Sequence, residues 1–169
     1  LATYAGMPVK AEFDEEALRM GVAKAFENST SSQLKQWTKV ELTSMHILLQ
    51  SRVGNTEAMQ AALGHLVDAQ DDDGGFFMNP VSSAMAFIAL SEASPWSPTW
   101  EKCRRYLLDT QQSDGTWRFC TSDVWDTVLT LRSFKGHPGF DGRGLTRGAK
   151  FLRLLQNDDG GWSFRSFVE

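Results

Sequence analysis

The chain has 169 residues, a 41% hydrophobic fraction and a formal charge of −4 from 17 basic and 21 acidic side chains. That is enough apolar material for one packed domain and excludes a disordered chain, while an acidic balance with no basic run argues against a nucleic-acid partner. The longest unbroken apolar stretch, Ala84 to Leu90, is far short of the ~20 residues that a membrane-spanning helix needs.

Two cysteines, Cys103 and Cys120, make neither a disulfide framework nor a paired metal motif, and no basic-then-apolar leader opens the sequence. A reducing, cytoplasmic compartment is the simplest expectation. Six Trp and eleven Phe are many for this length. They fit either plain core packing or an aromatic-lined pocket.

Taken in chain order, helical spacing first predicts two helices, Phe13 to Glu27 and Trp37 to Gln50, the first either capped by Asp14 or begun just before it. They fill an N-terminal segment, residues 1–55, that carries no interpretable motif. Thr56 to Ala69 is the next helix, followed by a turn and then a helix from Val81 to Ala93. Ser97 and Pro98 look like a cap and a first-turn proline for a helix from Thr99 to Thr110. After a second turn, Ser122 to Phe134 is helical, with Asp123 in the first turn where the helix dipole favours a carboxylate. Prolines and glycines around Lys135 to Arg147 mark a loop before the last helix, Thr146 to Leu155. With seven helices and no convincing strand, the expected fold class is all-α.

The three turns are copies of one another. With Gly74, Gly115 and Gly160 each taken as zero, every copy has Leu at −8, Gln at −4 (Gln70, Gln111, Gln156) and Asp at −1. At +2 stands a large aromatic: Phe76, Trp117 or Trp162. The glycine tolerates a positive φ that stops one helix and turns the chain. Each unit is thus a helix, a Gln-and-aromatic turn and a second helix, and residues 56–169 hold three such units, the last stopping at Glu169 before its second helix. Units of this kind stack into an α/α solenoid, which closes into a barrel if enough of them follow. The post-turn stretch Ser82 to Leu90 carries no charge, whereas the pre-turn stretches carry Lys102, Arg104, Arg105, Lys150 and Arg153. The post-turn helices are therefore expected to be the inner ones. The Asp71-Asp72-Asp73 and Asp158-Asp159 runs read as turn chemistry, since the final Asp recurs in every copy.

The Gln-to-Trp spacing of Gln111 to Trp117 and Gln156 to Trp162 resembles the QW repeat of squalene-hopene and oxidosqualene cyclases and of bacterial class II terpene cyclases. Ser122-Asp123-Val124-Trp125-Asp126-Thr127 is similar to a Ser-Pro-Val-Trp-Asp-Thr stretch on an inner helix of that family. The resemblance implies a partial (α/α)6 barrel-like toroid. In it, Gln70, Gly74, Phe76, Gln111, Gly115, Trp117, Gln156, Gly160 and Trp162 would be structural repeat positions. It further implies cyclisation of a linear, hydrophobic polyprenyl substrate, begun by a protonated carboxylic acid and continued as a carbocation cascade among aromatic faces. The acid motif of the family is Asp-Val-Asp-Asp-Thr, and here Trp125 stands at the middle position. Asp126 and Asp123 are the candidate catalytic carboxylates, and Trp125, Met85, Phe87 and Phe119 the candidate substrate-lining residues.

Aligned on the glycines, Trp125 and Asp126 fall opposite Ala84 and Met85, which makes Asp126 a carboxylate in an apolar place. Its alternative is a capping or hydrogen-bonded structural role, and the proton-donating motif itself is then expected beyond Glu169. No cofactor and no metal are expected. Protein prenyltransferase β subunits share Gly-Gly-Phe turns like Gly74-Gly75-Phe76, but they hold zinc with an Asp, a Cys and a His. Here His46, His65 and His137 have no metal-like spacing to either cysteine. A non-catalytic α/α binding or assembly module is a further reading. The barrel would be completed by the remainder of the same cyclase or by a partner chain. Squalene-cyclising relatives attach to one membrane leaflet, which adds peripheral membrane attachment to the implications.

Overall fold

A computed structural model describes residues 14–29, 34–119, 123–135 and 142–163. Cys120, Ser122, His137 and the chain end at Glu169 lie outside these residues, as do the start of the N-terminal segment and most of the loop before the last helix. The described residues form α1 (Glu15–Ser29), α2 (Gln36–Arg52), α3 (Thr56–Ala69), α4 (Pro80–Ala93), α5 (Pro98–Asp109), α6 (Asp123–Ser133) and α7 (Gly142–Leu154). They are all-α: the single pairing of extended backbone among them is an isolated bridge between Gln156 and Trp162.

Local chemistry sets most helix starts. The Asp14 carboxylate accepts the Ala17 N–H at 2.9 Å, and Asn55 accepts from Ala58 at 3.2 Å. Asn79 caps α4 by accepting from Val81 and Ser82, with Pro80 in the first turn, and Ser97 caps α5 by accepting from Trp100 at 3.2 Å. Each cap satisfies donors that a helix leaves open at its start, worth about 1 kcal/mol apiece.

The helix α7 departs from expectation. It begins at Gly142, several residues before Thr146, so Gly142 to Arg147 are helix rather than loop. A Cβ on Gly142 would meet nothing within 4 Å, whereas Gly144 and Gly148 are buried, and a Cβ on Gly148 would lie 2.9 Å from the Leu131 Cδ1 of α6 and 3.3 Å from the Gly115 carbonyl oxygen. Gly148 is thus a point of close approach between α7, α6 and the second turn.

The post-turn helices α4 and α6 adjoin one another, and α2 packs against α4. Against that row pack the others: α1 on α2, α3 on α2 and α4, α5 on α4, and α7 on α6. The helix α4 is the most enclosed, burying Ser82 to Phe87 without interruption together with Ala89 and Leu90. The core gathers around it from Ile47, Leu66, Phe76, Trp100 and Leu107. Phe87 is wholly enclosed, its ring 5.3 Å from Trp100 and 5.2 Å from Phe134.

On the other side of α2, Phe26 of α1 stacks on His46 at 4.5 Å and meets His65 of α3 edge-on at 5.5 Å. Burial pushes the His46 imidazole below its usual value, and the Glu27 carboxylate opposes the shift. Its Nδ1 and the Gln50 Oε1, one turn further on, are buried without a hydrogen-bond partner among the described residues. Stability that depends on a neutral His46 is full above the ordinary value of 6.5 and is lost as pH falls below it toward the lowered folded value. Urea midpoints should therefore decline on acidification through the histidine range, and His46→Phe, which keeps the stacking, should flatten that decline. A second test concerns Gly64 within α3, whose added Cβ would meet nothing within 4 Å. Gly64→Ala should stabilise the protein by about 0.5–1 kcal/mol in a denaturation curve.

Candidate functional site

The three turns share one hydrogen-bond plan. Gly74, Gly115 and Gly160 have φ of 91°, 92° and 83°, and each donates its N–H to the carbonyl three residues back at 2.9 Å. The aspartate before each glycine accepts the N–H two residues ahead: Asp73 from Gly75, Asp114 from Thr116 and Asp159 from Gly161, at 2.8, 3.0 and 2.8 Å. The glutamine Nε2 donates to the carbonyl of the glycine at 2.9 Å for Gln70, 3.0 Å for Gln111 and 2.8 Å for Gln156. Where the aromatic is Trp, its Nε1 donates to the carbonyl of the leucine at −8: Trp117 to Leu107 and Trp162 to Leu152, both at 2.7 Å. Phe76 has no such donor. Its ring is fully buried all the same, so this position is held by packing in the first unit.

The first two turns also grip the helix that follows. Gln70 Nε2 donates to the Thr99 carbonyl at the start of α5, and Gln111 Nε2 to the Gly144 carbonyl at the start of α7, both at 2.9 Å. A Cβ on Gly74 would stand 2.5 Å from the Lys102 carbonyl oxygen, and one on Gly115 would stand 2.4 Å from the Arg147 carbonyl carbon. The third turn lacks this cover among the described residues. A Cβ on Gly160 would meet nothing nearer than its own Gln156 amide at 3.9 Å, and Trp162 is 43% exposed.

The Asp123-to-Thr127 segment opens α6 and serves the second turn. Asp123 pairs with Arg118 Nε at 3.0 Å, and Arg118 also reaches Asp114. Asp126 is 1% exposed, and its Oδ2 accepts the Phe119 N–H at 2.8 Å. Thr127 Oγ1 accepts the Trp117 N–H at 3.2 Å, as Ser83 Oγ accepts the Phe76 N–H at 3.0 Å in the first unit. These equivalent hydroxyls lie seven residues after Phe76 but ten after Trp117. The glycine-based alignment of the post-turn helices is thus corrected by three residues. Asp126 stands opposite Ser82 and Trp125 opposite Val81, not opposite Met85 and Ala84. Asp126 accordingly occupies a polar place, because a longer second turn needs a carboxylate to hold the Phe119 amide.

The candidate lining residues separate. Trp125 is 54% exposed on α6, Met85 is buried in α4, and Phe87 sits in the core described above with no surface of its own. Phe119 is 36% exposed and meets Trp37 of α2 edge-on, with centroids 6.0 Å apart. Two clefts lie elsewhere. One, of about 330 Å³, is lined by Phe26, Lys39, Val40, His65, Leu66 and Phe77 among others, between α1, α2 and α3. The other, of about 800 Å³, lies between the start of α2 and the first turn, where Trp37, Phe77 and Met78 face Asp71, Asp72 and Asp73. Neither is lined by Asp123, Asp126, Trp125, Met85, Phe87 or Phe119.

Sequence reasoning passed over Glu41. This carboxyl is half-buried between α2 and α4, where its Oε1 accepts the Ser82 hydroxyl at 2.9 Å. Burial raises its pKa, and the Ser82 hydrogen bond lowers it in part. The only signal in the sequence is a lone acid in the middle of the Trp37 to Gln50 helix, which reads equally well as a solvated residue. Cys103 is fully buried, its thiol donates to the Ser83 carbonyl, and burial pushes its pKa far up, so it is an inert core group. Among the described residues no three His, Cys, Asp or Glu side chains are grouped to hold a metal ion, and no helix is long and apolar enough to cross a membrane.

No protein-family model matches the chain, and no curated protein matches it.

The turn geometry ranks the glutamines. Gln111→Ala removes three hydrogen bonds in a covered turn, two that its Nε2 donates and one that its Oε1 accepts from Arg147, and should cost about 1–3 kcal/mol. Gln156→Ala, in the open third turn, should cost less than about 1 kcal/mol. Thermal or urea denaturation of the two variants checks the order.

Proposed function

We propose that the chain is part of an α/α-solenoid domain of the class II terpene cyclase type, a squalene-hopene-cyclase-like β domain that acts on a linear polyprenyl substrate. The observation that carries this reading is the threefold recurrence of one turn, with glutamine, aspartate and glycine in the same bonded roles and, in the second and third copies, the tryptophan as well. The succession of contacts from α2 to α4 to α6, with α3 on α2, α5 on α4 and α7 on α6, supports it as well, and Trp125 and Val128 remain exposed on α6. In a partial toroid such side chains would line the concave wall, which the rest of the cyclase or a partner chain would complete. Cytoplasmic location with peripheral attachment to a membrane belongs to the same reading.

The chemistry asks for a carboxylic acid that hands its proton to a terminal alkene or epoxide, leaving a carbocation that neighbouring π bonds attack in turn. The final cation loses a proton or captures water. Aromatic faces stabilise such cations without trapping them. Within this proposal Asp126 is the acid on α6, and Asp123 with Arg118 holds the start of that helix in place.

One observation favours a second reading, a non-catalytic α/α assembly module. The Asp126 carboxylate is already committed to the Phe119 amide, and Trp125 stands where the family has its central acid. Incubation with squalene and with prenyl diphosphates, with products read by gas chromatography and mass spectrometry, separates the two. The cyclase reading expects a cyclised product that Asp126→Asn abolishes at unchanged melting temperature, because the amide oxygen still accepts from Phe119. Absence of any cyclised product from every substrate favours the assembly module. Full turnover by Asp126→Asn would remove this residue from the mechanism.

A further inference from the structure

We propose that the cleft between the start of α2 and the first turn binds an apolar ammonium ion, a cationic nitrogen bearing alkyl groups. Its walls are Trp37, Phe77 and Met78, and its rim holds three carboxylates, Asp71, Asp72 and Asp73, against one ammonium, Lys35. A space of about 800 Å³ is the size of a small-molecule site.

Trp37 is already positioned as a cation-binding face. Phe119 packs edge-on against it, and the Lys35 ammonium lies 4.6 Å from its ring centre, within the range of attraction between a cation and an indole. The carboxylates divide in role. Asp71 accepts the Phe77 N–H and Asp73 the Gly75 N–H, which builds the turn. The exposed Asp72 makes no hydrogen bond or ion pair among the described residues, so its charge is free to meet a ligand.

The wall is also shaped in a way its counterpart is not. Phe77 and Met78 both adopt left-handed backbone, at φ of 56° and 51°, whereas Arg118 and Phe119 after the second turn do not. That conformation leaves Met78 76% exposed beside the cleft while Phe77 lines it. Apolar walls favour a ligand with alkyl surface, and the excess of negative charge selects a cation over a neutral or anionic molecule of the same shape. A metal ion is a poor fit, since two of the three carboxylates are engaged in the turn and the other lining side chains add only the Gln36 amide oxygen. The proposal stands independently of the cyclase reading.

The test is calorimetric titration of the full chain with hexyltrimethylammonium, set beside hexanol and hexanoate as neutral and anionic partners of matching alkyl length. The cation is expected to bind about tenfold more tightly than either. Asp72→Asn should reduce that preference severalfold, the more so at low salt. Lys35→Met, which removes the competing ammonium, should increase affinity for the cation. Both side chains are exposed, and circular dichroism verifies that the variants are folded. A preference for the cation that Asp72→Asn weakens upholds the site. Equal binding of the three ligands, absence of saturable binding, or a preference indifferent to Asp72→Asn overturns it.

Discussion

A single side-chain amide holds successive units together. The Nε2 of Gln70 donates both to the Gly74 carbonyl in its own turn and to the Thr99 carbonyl of the next helix, and Gln111 repeats this with Gly115 and Gly144. Each bond contributes about 1 kcal/mol net, but the geometric consequence is larger. One planar group fixes where a helix ends and where the following helix begins. The glycines let that happen, since any Cβ at Gly74 or Gly115 would collide with the backbone of the arriving helix.

A hydroxyl then fixes the other half of the unit. Ser83 and Thr127 accept the backbone N–H of the turn aromatic and thereby set the axial position of α4 and α6 relative to their turns. The second turn is longer before it reaches its hydroxyl, and the additional backbone amide it exposes, that of Phe119, is met by Asp126. A buried amide without an acceptor costs about 1–3 kcal/mol, so a carboxylate at this point is explained by folding alone. Any chemical task given to Asp126 is performed by a group that also holds the chain together.

Much of this was legible before any coordinates. The caps Asp14 and Ser97, the positive-φ turn glycines and the turn role of the final aspartates follow from local chemistry, where a residue acts on neighbours within four positions, although the helices themselves end earlier, α3 at Ala69 and α5 at Asp109. What escaped depended on distant partners. The Gly142–Arg147 stretch has loop composition, yet it is the start of α7, where the Gly144 carbonyl accepts from Gln111 and Arg147 lies against Gly115. Phe87 and Trp125 look alike as aromatics on post-turn helices, yet one is enclosed by Trp100 and Phe134 while the other faces solvent.

By itself the sequence determined the seven helices, the three turns and the all-α class, because periodicity, capping and positive φ are properties of short stretches of chain. Tertiary structure alone decided the alignment between units, the half-burial of Glu41 against Ser82 and the location of the clefts. Those depend on which surfaces meet across α2, α4 and α6, and side chains dozens of residues apart acquire a shared environment only when their helices pack.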